Sequence, residues 1–407
     1  MSLPRLSEYF VGAAARRLSE VEIDKSRSNQ HELAATRPVR SFLGDSPANE
    51  RLDVRFVYVD DESAPVIFDT QVTYYDTRKG QDRAPEYRMY YADNDVTDAA
   101  SAGDTMVIAK RPDGDVLIVF ARQGSTVESQ LMWLFDISFT EGNTFAAAGQ
   151  QAIDQPVTPR SVQVLLDAFG IEPEVSEPDY LEILLTEFGG RFPTTAASSA
   201  LARRLVVDID PLSDPDGALL RWWDTEYLLF QTLERHIVSV RLEEGFTGDT
   251  AVEDFLSFSL TVQNRRKSRS GHAFENHIEH LLGLHNVRVE KNTRTERGSK
   301  PDFLFPGQVE YNDPEYPVEQ LHMLGAKTTA KDRWRQVLQE ADRISTKHLL
   351  TMEAAISGQQ TQEMQALSVQ LVIPDAVQSS YTDEQQSWLW SVGEFIEFAL
   401  RSERDAV

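Results

Sequence analysis

Hydrophobic and polar positions alternate along this chain with two different periods, and the change between them divides it. From about residue 20 to 125 the alternation is short and strand-like. Leu52–Val59, Val66–Tyr75, Tyr87–Tyr91, Thr105–Ala109 and Asp115–Ala121 are rich in β-branched and aromatic side chains and bounded by Gly, Asp and Pro, the pattern of half-buried strands. Pro112-Asp113-Gly114 predicts a tight hairpin between the last two. A short helix is expected ahead of the strands, and many short strands joined by turns predict a barrel or sandwich.

Beyond residue 150 the period lengthens. Pro159–Phe169 and Tyr180–Phe188 read as helices, set among the acidic, proline-rich stretches Glu172–Asp179 and Asp208–Gly217. Leu219–Glu244 carries a wide apolar stripe of Trp222, Trp223, Leu228, Leu229, Leu233, Ile237 and Val240. Phe274, Ile278, Leu281 and Leu282 put one face of a helix over 273–284 into a core. Strands follow at 287–290, 302–306 and 317–326. Trp334, Val337, Leu338, Ala341 and Ile344 then predict an amphipathic helix with Glu340 on its flank. Strands at 349–352 and 367–373 and a helix at 388–400 close the chain. The order α-β-β-β-α-β-β-α predicts a mixed sheet flanked by helices. The expected organisation is therefore a mostly-β domain over 1–170, a helical and acidic linker over 171–215, and an α/β domain over 216–407.

Composition narrows the function. With 407 residues, 41% of them hydrophobic, the chain can fill two cores. It has no cysteine, which excludes disulfides and thiolate metal sites and agrees with a reducing cytoplasm. Neither a membrane-spanning apolar run nor a signal-peptide core is read in the sequence, so a cytoplasmic protein without membrane contact is expected. A net charge of −25 opposes uniform affinity for nucleic acid. Basic residues nevertheless cluster at 264–269, 291–300 and 327–335, and an acidic body with a basic cleft steers DNA into that cleft.

The chemistry-bearing residues fall in the same stretch. Glu275 lies beside an apolar helical face, Lys300-Pro301-Asp302 opens a short apolar strand, Lys327 ends another after Gly325-Ala326, and Glu340 follows. Phosphodiester hydrolysis needs an in-line water, neutralised phosphoryl oxygens and a stabilised leaving alkoxide. Mg²⁺ takes oxygen ligands and keeps several waters, so Asp302, Glu340 and Glu275 suffice beside a substrate phosphate. Lys327 supplies a point charge for the attacking water or the developing negative charge. For Glu275 taken singly, a surface carboxylate paired with a Lys or Arg is the simpler reading. A zinc site from His277, His280 and His285 is disfavoured, because their spacing lacks the i, i+4 pair of a metalloprotease helix. Arg221 and Trp222 are candidates to contact an extruded base, although tryptophans in such a stripe are more often core.

These residues, with the run Lys327-Thr328-Thr329-Ala330-Lys331-Asp332-Arg333-Trp334-Arg335-Gln336 and Lys347–Thr351, resemble the catalytic domain of EcoRII-type restriction endonucleases. That group belongs to the PD-(D/E)XK superfamily and takes its metal-binding acid from the helix after the lysine instead of from the strand. The resemblance spans roughly 220–375. A looser likeness, in Asn29-Gln30-His31, in Arg78–Arg88 and in Gly103–Lys110, links the amino-terminal half to that family's effector domain, a DNA-binding pseudobarrel. The resemblance implies a type II, Mg²⁺-dependent endonuclease that leaves 5′-phosphates at a short G·C-flanked palindrome of the CCNGG or CCWGG kind. It implies Glu275, Asp302, Lys327 and Glu340 as the catalytic set, and Lys331, Asp332 and Arg333 as readers of G·C pairs, in keeping with Arg and Lys donating to guanine and Asp accepting from cytosine. It also implies Asn29, Gln30, His31, Arg78, Lys79, Arg83 and Arg88 as effector-domain contacts to a second copy of the site, and a homodimer formed through the catalytic domain on double-stranded DNA, with no organic cofactor. The competing readings are a DNA-binding regulator that has lost the chemistry and a modification-directed nuclease.

Overall fold

Period-two alternation with both faces apolar builds the first sheet. In the computed structural model, which describes residues 6–20, 31–45, 50–139, 145–148, 169, 180–330 and 333–404, the chain forms two units. One comprises 1–173 with 355–360, and the other 174–354 with 361–407. The first holds β1 (Gly12–Arg17), β2 (Glu32–Ala34), β3 (Glu50–Val59), β4 (Val66–Asp76), β5 (Tyr87–Tyr90), β6 (Thr105–Lys110), β7 (Val116–Ala121) and β8 (Phe145–Ala147). They make one sheet in the order β2-β5-β4-β3-β7-β6-β1-β8. Among these described strands only β3 and β7 run parallel.

Val57, Val59, Leu117, Val119, Val107 and Ala109 face one core with Val127, Leu131 and Leu134 of helix Thr126–Leu134. Their neighbours Val54, Phe56, Ile118, Phe120, Met106 and Ile108 face the other with Val39 and Val96. Burial of both faces explains the unbroken apolar run of β7. The ends of the sheet, β2 and β8, do not pair with each other, so this is a half-open pseudobarrel. The predicted hairpin joins β6 to β7, with Gly114 at φ +101° accommodating the turn. The helix expected at the amino terminus is a three-residue 3₁₀ turn, Leu6–Glu8, followed by β1. The helix expected over 159–169 lies outside the described residues apart from the buried Phe169.

The second unit is built on β9 (Glu290–Lys291), β10 (Phe303–Phe305), β11 (His322–Ala326), β12 (Lys347–Leu350) and β13 (Val369–Val372), in the order β13-β12-β11-β10-β9. β11, β12 and β13 are parallel neighbours, and β10 runs antiparallel to β9 and β11. Helices Pro215–Glu244, Ala251–Leu284 and Val392–Arg404 cover one face, packing Trp222, Trp223, Phe274, Ile278, Phe395 and Ile396 against Phe303, Phe305, Leu324 and Leu350. The buried carboxylate of Asp216 ties two of these helices together by accepting from the N–H groups of Val392 and Gly393, satisfying donors a helix start leaves open.

The stretch read as a linker holds helices Tyr180–Phe188 and Thr195–Leu205, which pack Leu184, Leu201 and Ala202 against Leu229 and Leu233. The helix expected through Ile344 spans only Trp334–Val337. Trp334, Val337, Ala341 and Ile344 are all buried, so the spacing records burial; the helix stops at Val337, and Ala341 turns left-handed at φ +50°.

Candidate active site

The sheet of the second unit brings two of the four predicted catalytic side chains, Asp302 and Lys327, into contact. Asp302 stands just before β10 and Lys327 just after β11, and the antiparallel register of these strands sets Phe303 opposite Leu324. Oδ2 of Asp302 accepts from the backbone N–H of Ala326 at 2.7 Å and from Nζ of Lys327 at 2.7 Å. Lys327 continues the parallel pairing of β11 with β12, its N–H donating to the Leu350 carbonyl at 3.0 Å. Both side chains are largely buried, at 17% exposed for Lys327 and 11% for Asp302.

Glu340 lies in the turn after helix Trp334–Val337, on no helix itself, with its N–H donating to the Val337 carbonyl. Its Oε2 is buried and has no hydrogen-bond partner. Burial pushes this carboxyl up to about 7, against the pull of Lys327 and Lys347 and with the added push of Asp302. The coupling marks Glu340 as an electrostatic neighbour of the Asp302–Lys327 pair.

Glu275 is placed differently. Its carboxylate faces Nζ of Lys291 at 3.4 Å, and Lys291 also contacts Glu279 at 3.2 Å. Lys291 pairs in register with Phe303, and the N–H of Asn292 donates to the Asp302 carbonyl. Glu275 thus borders the centre through Lys291. Among the described residues no group of three or more His, Cys, Asp or Glu side chains is set to hold a metal ion; Asp302 and Glu340 are the two acids coupled to Lys327. These two fit a divalent cation as hard oxygen donors, one of them with an orphaned buried oxygen, because Mg²⁺ fills the rest of its shell with water and phosphate.

Of the proposed base readers, Lys331 and Asp332 lie outside the described residues. Arg333 is exposed at the entry to helix Trp334–Val337. Just before them, the N–H of the buried Ala330 is held by Oε2 of Glu353. Sequence reading missed Glu353; an acid inside the otherwise apolar Thr351–Ile356 segment is the signal that marked it. Trp222 does not reach solvent as an extruded-base contact must. Its ring is buried against His277 and His280, and Arg221 pairs with Asp208 at 2.9 Å. The three histidines do not converge on one point. His277 lies 2.8 Å from Glu226, His280 packs on Trp222, and His285 contacts the Pro211 carbonyl.

In the first unit, Asn29 and Gln30 lie outside the described residues, while His31 stacks edge-on against Tyr91 and lies 3.5 Å from Asp93. The loop between β4 and β5 is organised by Asp76, whose Oδ1 accepts from the N–H groups of Arg78 and Glu86. Arg78 pairs with Glu86 at 2.5 Å, and Arg88 with Glu32 at 2.8 Å and Glu86 at 2.7 Å. These two arginines brace the loop and leave Lys79 and Arg83 as its exposed cations.

No helix among the described residues is long and apolar enough to cross a membrane. Residues 230–396 match the family model described as EcoRII C terminal. Over 185 residues the chain is 42% identical to the type II restriction enzyme EcoRII of Escherichia coli, and that match covers 45% of this chain and 45% of that enzyme. The chain therefore spans about half the length of the curated relative it matches. Similar solved structures include metal-depleted Ecl18kI in complex with uncleaved DNA, at 18% identity, TM-score 0.43, 57% of this chain and 86% of that one. Another is the PspGI–substrate DNA complex, at 15% identity, TM-score 0.39, 56% of this chain and 92% of that one. Over residues 230–396, the stretch that holds Asp302, Lys327 and Glu340, this chain is similar to the EcoRII carboxy-terminal domain.

Proposed function

We propose that this chain is a Mg²⁺-dependent type II restriction endonuclease that hydrolyses both strands of a short, G·C-flanked palindrome and leaves 5′-phosphates. The observation that carries the reading is the ammonium of Lys327, 2.7 Å from Asp302, with both charges felt by Glu340, whose Oε2 is buried and unpartnered. A bound Mg²⁺ would supply charge neutralisation at the scissile phosphate and a more acidic water. Asp302 and Glu340 would hold the ion. Asp302, fixed by the Ala326 N–H, also holds Lys327 in place, so that its positive charge meets the attacking water or the phosphoryl oxygens without reorganisation. Lys331, Asp332 and Arg333 read the flanking G·C pairs. Two copies joined through the carboxy-terminal unit cut the two strands, and the amino-terminal unit binds a second copy of the site, with Lys79 and Arg83 on the phosphates. A cytoplasmic location belongs to the same reading.

Incubating the full chain with plasmid and genomic DNA in Mg²⁺ or EDTA, and sequencing the ends, tests this. Discrete Mg²⁺-dependent fragments sharing one G·C-flanked palindrome and 5′-phosphate ends are expected, and Asp302→Ala should abolish them while DNA binding persists. Binding without cleavage by the unaltered chain would leave the regulator reading in its place.

A further inference from the structure

The segment that carries Glu340 is a turn, and a turn needs something to hold it. Lys347, the first residue of β12, extends beneath it. Its Nζ donates to the carbonyl of Glu340 at 2.5 Å and to that of Ala341 at 2.6 Å. The side chain is buried, with only 5% of the residue exposed. Its backbone is fixed in the sheet, where the N–H donates to the Ser368 carbonyl and the residue pairs with Val369. Ala341, also fully buried, sits at φ +50°, a conformation that is strained for an L-residue and persists only where surrounding contacts determine it.

The other side of the turn is anchored as well. The Asp342 N–H donates to Glu296 at 3.2 Å, and the Arg343 N–H donates to the Tyr311 hydroxyl at 3.2 Å, which itself donates to Glu296 at 2.8 Å. Burying an ammonium is costly unless it is fully bonded, and an apolar residue of equal length would fill the same space. Only a donor of this reach satisfies two buried carbonyls in successive residues.

From this geometry we infer that Lys347 is a positioning residue for the metal-binding carboxylate. By clamping the carbonyls of 340 and 341 it holds the left-handed turn that carries Glu340. The inference rests on the nuclease reading above, since it assigns Glu340 to the cation. Lys347 touches neither substrate nor cation. It acts on affinity for the ion, as residues behind first ligands do elsewhere, where their loss weakens metal binding or activity about 10–100-fold.

The test uses the full-length protein and Mn²⁺ alone, without DNA, with free ion measured by electron paramagnetic resonance and the Mg²⁺ midpoint for plasmid cleavage measured in parallel. Lys347→Met is expected to melt cooperatively and to bind metal-free DNA as the unaltered chain does, with Mn²⁺ affinity and Mg²⁺ midpoint weakened about tenfold or more. Adding Ala341→Gly, which adopts φ +50° without strain, should recover about threefold or more of that loss. A folded Lys347→Met chain with Mn²⁺ affinity within about twofold of the original overturns the role, as does a loss that Ala341→Gly leaves untouched. Should Lys347→Met not fold, Lys347→Arg keeps a charge and donors but on a planar fork. It is expected to weaken Mn²⁺ several-fold, and unchanged affinity in it overturns the inference equally. An unaltered chain that neither binds Mn²⁺ nor cuts DNA would remove the nuclease reading itself, which its own titration distinguishes from failure of Lys347.

Discussion

Nζ of Lys327 and Oδ2 of Asp302 lie 2.7 Å apart, and the same oxygen accepts the N–H of Ala326, the residue before the lysine. One carboxylate oxygen thus locks the end of β11 to the start of β10 and orients the ammonium, leaving Oδ1 for other partners. Replacing Lys327 by Met keeps the backbone half of this lock. The variant should fold and bind DNA while cleavage falls on the order of 10²-fold or more. Lys327→Arg should not restore it, because a planar guanidinium cannot stand in for a point charge at one oxygen. Single-turnover plasmid cleavage checks both, and near-normal rates in either would remove Lys327 from the chemistry.

Glu340 makes the site a source of instability. Its folded value of about 7 lies above the ordinary carboxyl value of 4.5, so between these pH values the folded chain binds more protons than the unfolded one. Stability therefore falls as pH rises from about 4.5 to about 7 and stays lower above that range. Glu340→Gln removes the charge and should stabilise the metal-free protein by about 1–2 kcal/mol at pH 8, after allowance for partial solvent screening, and hardly at all below pH 4.5. The same titration predicts that cleavage at low Mg²⁺ rises with pH up to about 7, and that more Mg²⁺ moves the midpoint to lower pH, because ion and proton compete. Denaturant melts at two pH values and a pH–rate profile at two Mg²⁺ concentrations measure these effects. A profile insensitive to Mg²⁺ would separate Glu340 from the cation.

The candidate catalytic residues are legible because their types are unusual where they stand. Asp302 and Lys327 border short apolar strands, and the strand pattern is enough to put one at the start of a strand and the other at the end of the next. Glu340 was legible as a residue but not as a position: its neighbours Trp334, Val337, Ala341 and Ile344 are buried at helical spacing, and nothing in that pattern reports that Ala341 turns left-handed. For Trp222 and Arg221 the difficulty is the opposite. A tryptophan pattern cannot tell a stacking platform from a core, and here the ring fills the space between two helices. Lys291 and Glu353 act through contacts with residues far away in sequence, which no local period encodes.

Arg333, exposed at the entry to helix Trp334–Val337, is the described member of the proposed reading trio. Its replacement by Ala should cost about 1–3 kcal/mol of discrimination at one base pair and leave the others unaffected. Cleavage of a set of singly substituted duplexes measures this. Unchanged preference would make Arg333 a solvated residue at a helix start.

Two histidines set an acid limit. His322 and His348 pack against Phe398, and His348 also against Trp390 and Phe395. Burial pushes them down to about 4 and about 3. Their folded values lie below the ordinary 6.5, so the unfolded chain binds more protons, and stability present above about pH 6.5 is lost as pH falls through this range. At pH 5 the fully buried His348 should account for about 2 kcal/mol of that loss. His348→Leu should flatten the dependence of stability on pH between 7 and 5, and an unchanged slope would place the acid-sensitive groups elsewhere.

The close approach of Gly325 to Val337 couples the sheet to both halves of the site. A Cβ built at Gly325 would lie 2.8 Å from Cγ2 of Val337, too near for any side chain without movement. Helix Trp334–Val337 therefore rests directly on β11, with Arg333 at its entry and Glu340 just beyond its end. Gly325→Ala should cost about 1–3 kcal/mol, as overpacking does, and it should also push the helix outward. The outward shift predicts a loss larger than stability alone explains, because Arg333 and Glu340 are displaced while Asp302 and Lys327 stay in register. Trimming the partner discriminates these effects: Val337→Ala in the Gly325→Ala background removes the clashing methyl groups and should return cleavage toward the original rate, although Val337→Ala by itself opens a cavity and destabilises the chain. A double-mutant cycle in stability and in cleavage measures the coupling. If the two substitutions simply add, the helix does not depend on that contact for its position.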